Sequence, residues 1–368
     1  MRIIRGYKTV LDPSNEQRSW FMRCAGTARF VYNWALDDRI ARFKAGEKTN
    51  LYEQKRRFNA LKGVQFPWIY DVPYALTDAA FVNLDRAYQN FFRRNKQGAG
   101  KKGFPRFKSR RRGIGSFTLR GSIHIESGRI KLPRVGWVRL AEHDYMPTSD
   151  CKLLSVNMSE RAGRWFVCAQ VEEEQPDPEP AMGPVMGIDM GLKALAVCSD
   201  GTVFENPRPL VKAQRVLGRL NRELSRRKIG GKNRAKTARK LARAHYRVAC
   251  VRSHALHQIS HHVTAKTKPS VIVLEDLNVQ GMMANHSLAR GVADASMSEL
   301  RRQIEYKATW NGIEVLTAGQ WYASTQLCSG CGEYVPKTLG DRTHVCPHCG
   351  LILDRDLNAA MNLASLAL

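Results

Sequence analysis

The apolar positions of this 368-residue chain change period along its length, and the changes mark its parts. The opening stretch, MRIIRGYKTV, alternates as a strand does and lacks the apolar core of a leader peptide. From residue 14 to 95 the spacing turns helical. Trp20, Phe21, Cys24, Ala28 and Val31 recur on one side behind a capping Ser14 or Asn15. Leu76, Ala80, Leu84, Tyr88 and Phe91 line one side of a later helix. Between 114 and about 175 the period drops to two. SIHIESGRIKLPRVGWVRL and KLLSVNMSERAGRWFVCAQVEEE carry two hairpin signals and predict a small β-barrel. The acidic, proline-rich EEEQPDPEPAMGP then predicts a linker, with a domain boundary near residue 181.

The second half follows a different plan. VMGIDMG, LKALAVCSDG and TVFEN read as three short strands, with Ser199-Asp200-Gly201 as a hairpin turn. Two basic helices occupy about 209–265, broken at KIGGKN. The first turns Leu217, Leu220 and Leu224 inward and repeats Arg215, Arg219, Arg222 and Arg226 on another side. The second carries Leu241, Val248, Leu256, Ile259 and Val263, and the strand SVIVLEDLNV follows. Strand, helical crossover, strand is the logic of an α/β sheet. NVQGMMANHSLARGVADAS, beyond it, reads as a lid or a crossover loop.

Composition sharpens this picture through charge. A 43% hydrophobic content is enough for real cores, and no apolar run reaches the length of about 18 that a membrane span needs, so a cytoplasmic protein is expected. Against 33 Asp and Glu stand 59 Lys and Arg, a net charge of +26 that calls for a polyanionic partner. No basic amphipathic anchor points to a membrane, so nucleic acid leads. The run RRNKQGAGKKGFPRFKSRRR (93–112) holds ten Lys and Arg and no acid. It predicts phosphate contacts from Arg106, Lys108, Arg110, Arg111 and Arg112, interleaved with Phe104 and Phe107.

The chemistry is concentrated in cysteines and carboxylates. Cys24, Cys151, Cys168, Cys198 and Cys250 stand alone and read as small hydrophobes. Cys328, Cys331, Cys346 and Cys349 form two C-x-x-C pairs with 14 residues between them, each pair followed by glycine, which is zinc spacing. Four thiolates leave no open coordination position, so this zinc is structural, and His344 and His348 are surplus. His257 and His261 share a helix face, but no glutamate accompanies them as a zincin requires.

Asp189 ends the apolar strand VMGID and Glu275 ends VIVLE. A right-handed crossover lays two such strands side by side, about 4.8 Å apart. Like charges so close call for a hard cation, Mg²⁺ or Mn²⁺. Asp356 opens a short helix in LDRDLNAAMNLA, where Leu357, Ala360 and Ala364 face the core. It reads as an N-cap that also completes a two-metal site for phosphodiester hydrolysis.

In this order, GIDMGLKALAVCSDG, VIVLEDLNVQGM, CSGCG…CPHCG and DRDLNAAMN resemble the split RuvC nuclease domain of the TnpB family, IS200/IS605-type transposon proteins related to compact type V CRISPR effectors. RFVYNWAL, GFPRFKSR, SFTLRGSIHIESGRIKLPRVGWVRL and RKIGGKNRAKTARKLARAHYRV resemble the same family, so the likeness covers nearly the whole chain. It implies an RNA-guided DNA endonuclease with an α/β, RNase H-like (RuvC) domain at 181–323 and 352–368 and an inserted zinc ribbon at 324–351. A wedge-like β-barrel at 1–10 and 106–180 and a helical recognition region at 11–105 complete the expected plan.

The implied catalytic acids are Asp189, Glu275 and Asp356, with Asp354 the alternative to Asp356. The implied cofactors are Mg²⁺ or Mn²⁺, structural Zn²⁺ and a guide RNA from the transposon end. The implied substrate is double-stranded DNA beside a short flanking motif, acted on by a monomer or homodimer. Segments 93–112 and 212–247 would carry the RNA, the latter through Arg215, Arg219, Arg222, Arg226, Lys232 and Arg234. Tyr70, Tyr74, Thr77 and Ser116 are candidate readers of the flanking motif. A nuclease-inactive repressor is disfavoured because all three acids are present. A strand-transfer transposase is the remaining alternative on such a fold.

Overall fold

In the computed structural model, which describes residues 2–96, 103–110, 113–338 and 340–367, the chain divides after Gln175 into two units. In the first, β1 (Arg2–Asp12) leads to Ser14, whose side chain accepts from the Gln17 backbone while the Gln17 side chain accepts from Ser14. That reciprocal box starts α1 (Asn15–Lys44). It is followed by α2 (Leu51–Gln65) and α3 (Tyr74–Lys96). Then come β2 (Ser116–Leu119), β3 (His124–Glu126), β4 (Arg129–Leu132), β5 (Gly136–Leu140), β6 (Cys151–Arg161) and β7 (Arg164–Glu174).

These seven strands form one antiparallel sheet in the order β2-β6-β7-β1-β5-β4-β3. Among the described residues its edge strands β2 and β3 do not pair. The apolar stripe of α1 serves two cores. Trp20 and Phe21 pack with Phe117 and Trp165 of the sheet, whereas Val31 and Leu36 pack with Phe58 of α2 and Phe81 and Leu84 of α3.

The second unit holds β8 (Met186–Asp189), β9 (Ala194–Cys198) and β10 (Val203–Glu205). The helical hairpin α4 (Pro209–Arg226) and α5 (Lys232–His261) leads to β11 (Val271–Glu275). Next are α6 (Val279–Ala284), α7 (Ala289–Ala295), α8 (Met297–Trp310) and β12 (Glu314–Ala318). The small hairpin β13 (Thr343–Val345) and β14 (Ile352–Asp354) runs directly into α9 (Arg355–Ala364). The main sheet reads β10-β9-β8-β11-β12, with β8, β11 and β12 parallel and β9 antiparallel to both of its neighbours, β8 and β10.

Several expectations take a different form. The proline-rich 176–184 stretch is tied to the second unit, for Ala181 N donates to Gly312 O and Ser270 N to Gly183 O. The expected lid beyond Glu275 folds as α6 and α7. Its far end is pinned by buried Asp294, which accepts from Leu210 N at 3.0 Å and from Arg252 at 3.0 Å.

Alternation along the parallel strands decides what each face does. Met186 and Ile188 of β8, with Ile272 and Leu274 of β11, pack toward Leu256, Ile259, Leu300 and Ile304 of α5 and α8. The residues between them face the other way, where Val273 packs with Leu363 of α9. Gly187 lies on this second face directly beneath α9. A Cβ there would collide with the Ala360 carbonyl oxygen and stand 2.5 Å from the Ala364 nitrogen. The glycine therefore permits backbone-to-backbone approach of helix and strand. Gly187→Val is expected to lower stability by at least the roughly 1–3 kcal/mol typical of overpacking, read as a lowered melting temperature.

Candidate active site and cysteine cluster

The same alternation that turns Gly187 and Val273 toward α9 turns the next residues of that parity, Asp189 and Glu275, the same way. The register pairs Leu274 with Ile188, so the two acids are the next residues on neighbouring strands, at matching carboxyl ends. Asp356 sits in the first turn of α9, the helix lying on that face. The N-cap is Asp354 and not Asp356: its side chain accepts from Asp356 N at 2.9 Å and Leu357 N at 3.3 Å. β14 delivers Asp354 in extended geometry, the conformation a cap needs, and this leaves the Asp356 side chain unused by the helix.

Burial, then the negative charges of Glu275 and Asp356, push the Asp189 carboxyl from its ordinary 3.8 up to about 8, opposed in part by Arg355. Asp189 is only half-buried by surface exposure, yet protein encloses it on most sides. Arg355 also reaches Asp356 Oδ1 through Nε at 3.0 Å and Nη2 at 2.9 Å. Glu275 Oε1 accepts a short hydrogen bond from the buried Ser324 hydroxyl.

Among the described residues, the four cysteines are the group whose ligand atoms all lie within 4.8 Å of one another. Two ions about 3.5–4 Å apart, each with oxygen ligands at about 2 Å, span ligands up to about 8 Å apart. An all-oxygen donor set whose mutual repulsion Arg355 relieves only in part fits hard divalent cations. Beside Glu275 opens a cleft of about 470 Å³, lined by Asp276, Asn278, Arg301, Arg302 and Gln320 among others.

The cysteines form a second, separate centre. Cys328 and Cys349 sulfurs lie 3.6 Å apart, as do those of Cys331 and Cys346. Disulfide sulfurs would be about 2 Å apart, and a tetrahedron with about 2.3 Å zinc–sulfur bonds needs about 3.8 Å. Each knuckle closes alike: Gly332 N donates to Cys328 O, and Gly350 N to Cys346 O. Both glycines take positive φ, 77° and 76°. A backbone N–H from Cys349, the largest lowering influence, helps pull the Cys346 thiol down to about 6. Buried His344 contacts Lys337 and adds no ligand to the cluster.

Two asparagines, through four hydrogen bonds, join this centre to α9. Buried Asn358 donates to Leu327 O at 2.7 Å and accepts from Ser329 N at 2.9 Å. Buried Asn362 donates to Leu327 O and Ser324 O, both at 2.7 Å. Their i, i+4 spacing on the helix's apolar face was the signal available in DLNAAMN. Ser324 had none.

The expected nucleic-acid contacts are scattered by comparison. Arg215, Arg219, Arg222 and Arg226 form an exposed row on α4, with Lys232 exposed beyond it. Arg234 is half-buried and directs one nitrogen, Nη1, to the C-terminal carbonyls of α4, Leu224 O and Arg227 O, the latter at 3.1 Å. Arg106 and Arg110 are exposed, and the Lys108 ammonium lies 3.9 Å from the Tyr32 ring centre. Arg111 and Arg112 lie outside the described residues. Thr77 is buried and its hydroxyl is bonded to Tyr74 O at 2.8 Å, so it cannot read DNA in this conformation. Tyr70, Tyr74 and Ser116 stay exposed.

A sheet that gathers carboxylates under one helix, with a cysteine knuckle pair tied to that helix, defines an α/β protein with an inserted metal-binding ribbon. Family models carry the description further: a probable transposase model matches residues 167–286, a Cas12f1-like TNB domain model 298–363 and a helix-turn-helix domain model 1–48. In this structure the last span is a strand and one long helix, with no second helix before residue 51. A Streptomyces pristinaespiralis protein named "Putative RNA-guided DNA endonuclease" is 31% identical over all of this chain and 90% of its own length. Escherichia coli K12 InsQ, named in the same way, is 32% identical over 99% of this chain and 92% of its own. A solved structure titled as the mini-RNA-guided endonuclease CRISPR-Cas_phi3 aligns with 99% of this chain and 92% of its own at 9% identity and a TM-score of 0.47, too loose to bear on function. The chain belongs to the TnpB family of transposon-associated RNA-guided DNA endonucleases.

The raised carboxyl carries a pH signature. Unfolded Asp189 loses its proton near 3.8 and folded Asp189 near 8. Between these values the native state holds more protons, so Asp189 makes stability fall as pH rises through that window. Without divalent cations, Asp189→Asn is expected to raise the melting temperature at pH 8 by a few degrees. Added Mg²⁺ should stabilise the unmodified protein and leave the variant nearly unmoved; scanning calorimetry reads both.

Proposed function

We propose that this protein is itself an RNA-guided DNA endonuclease whose nuclease domain is RNase H-like of the RuvC type, with Asp189, Glu275 and Asp356 as its catalytic acids. The observation that carries the reading is the convergence of two strand-end carboxylates and one helix-start carboxylate on a single face. The strand order of the second unit, with its first three strands antiparallel and the last two parallel to the first, supports an RNase H-like assignment.

Two Mg²⁺ or Mn²⁺ ions would supply activation of the attacking water and stabilisation of the leaving oxygen. Asp189 and Glu275 would hold the shared position between β8 and β11, and Asp356 would close it from α9. Arg355 leaves Asp356 Oδ2 as the oxygen for a cation. Arg302, exposed in the cleft beside Glu275, would place the phosphates of the strand to be cut. Zn²⁺ on the four cysteines would brace the loop and helix that carry Ser324 and Asp356.

Binding of a guide RNA would answer the +26 charge, and the exposed arginine row of α4 suits its backbone. Sequence recognition would then pass to base pairing, leaving the protein a short flanking motif to read. The division of labour on this reading is 11–105 for recognition, 1–10 with 106–175 as the wedge, 176–323 with 352–368 as the nuclease and 324–351 as the ribbon, the boundary moved from near 181 to the division after Gln175.

Protein purified from cells carrying its native locus should bring down one RNA species, and the complex should cut plasmids beside one flanking motif in Mg²⁺. Asp189→Ala, Glu275→Ala and Asp356→Ala should each reduce cutting by at least about 1,000-fold, a barrier increase of about 4 kcal/mol, while leaving RNA and DNA affinity intact. A complex that binds its target without cutting would mark a repressor. Strand joining in place of hydrolysis would mark a transposase.

A further inference from the structure

We infer that Ser324 is a positioning residue for Glu275, and that it sets how tightly the carboxylate site takes divalent cations. The inference rests on the nuclease reading for its purpose and on hydrogen bonding for its substance. Ser324 is 3% exposed, in the loop between β12 and the first cysteine pair, and its hydroxyl donates to Glu275 Oε1.

Its backbone is fixed independently of that bond. Asn362 of α9 donates to Ser324 O, and the Tyr322 hydroxyl donates to Asn362 O at 3.0 Å. Five residues past Ser324 the chain is held again, with Asn358 accepting from Ser329 N inside the first cysteine pair. The loop therefore needs no help from the serine hydroxyl to stay in place. That hydroxyl has one proton to give and spends it on a carboxylate.

A glutamate at a strand end has three rotatable bonds, and neighbouring negative charge drives it away from Asp189 and Asp356. Holding Oε1 selects one arrangement and leaves Oε2 for a cation. The ordering cost is then met during folding and not when the cation arrives. Because α9 carries both Asp356 and the asparagines that set Ser324, two of the three acids are aligned by one helix. Partners that orient a metal's ligands in this way are typically worth about 10- to 100-fold in affinity.

The test uses the full-length, zinc-loaded protein freed of nucleic acid, with Mn²⁺ binding followed by the electron paramagnetic resonance of the free ion. Ser324→Ala should shift half-saturation upward by about 10- to 100-fold. Zinc content and guide RNA affinity should not change, and the guide complex should regain most of its cutting rate at high Mn²⁺. Ser324→Thr, which keeps the hydroxyl, should bind Mn²⁺ more tightly than Ser324→Ala. Unchanged half-saturation in Ser324→Ala would overturn the inference, as would equal impairment of both variants or a loss that follows zinc release. If the unmodified guide complex cuts no DNA, the nuclease reading fails, while the Mn²⁺ comparison still judges the serine.

Discussion

Three carboxylates held close enough to repel one another are the constraint around which the second unit is arranged. Left to themselves they would separate or take up protons, and the Asp189 carboxyl does the latter, keeping its proton to about pH 8. What prevents separation is covalent and hydrophobic. Asp189 and Glu275 are the last residues of strands locked in register by apolar packing on one face. Asp356 is fixed because α9 is pressed onto the other face, close enough that only glycine fits at 187. Core packing thus maintains an electrostatic arrangement that would not assemble on its own.

The ribbon joins the argument at this point. β14 feeds α9 without an intervening loop, so the orientation of the helix start follows from the hairpin that the cysteines close. Asn358 and Asn362 then bind the loop on the far side of the first knuckle back to the same helix. Buried amides with unmet partners are costly, and both find backbone partners here, so this contact specifies one docking of ribbon on helix. The first unit solves a different problem. Its α1 is long enough to serve a sheet core at one end and a helical core at the other, which joins the two layers of that unit without a linker.

How much of this could be read from the letters follows the range of each interaction. Asp189 and Glu275 were legible because an apolar run that stops at an acid is a local signal, and so were the cysteine pairs. The helix at 355–364 was legible, but its cap was not: Asp354 and Asp356 differ only in which one β14 presents in extended geometry. Thr77 misled for a related reason. A hydroxyl side chain looks available in sequence until it is buried and a carbonyl one turn back takes it, as Tyr74 does. Ser324 was out of reach altogether, since its partner lies 49 residues away in an unrelated element.

On the proposed reading the carboxylates and the cysteines of this unit would take different metals, because their donors differ in kind. Thiolates select zinc and give hard cations little, while a carboxylate site of modest preorganisation favours Mg²⁺ or Mn²⁺ by abundance and geometry. Zinc too dilute to occupy the oxygen site would still fill four sulfurs. The ribbon can therefore be complete before any hard cation binds, with α9 and its asparagines already in place. On this reading the order of assembly is fixed by ligand chemistry: sulfur first, then the helix, then the acids, with cation binding last and reversible. A nuclease built in that order is structurally ready but chemically silent until its acids are neutralised, and the proton kept by Asp189 near neutral pH is the trace of that waiting state.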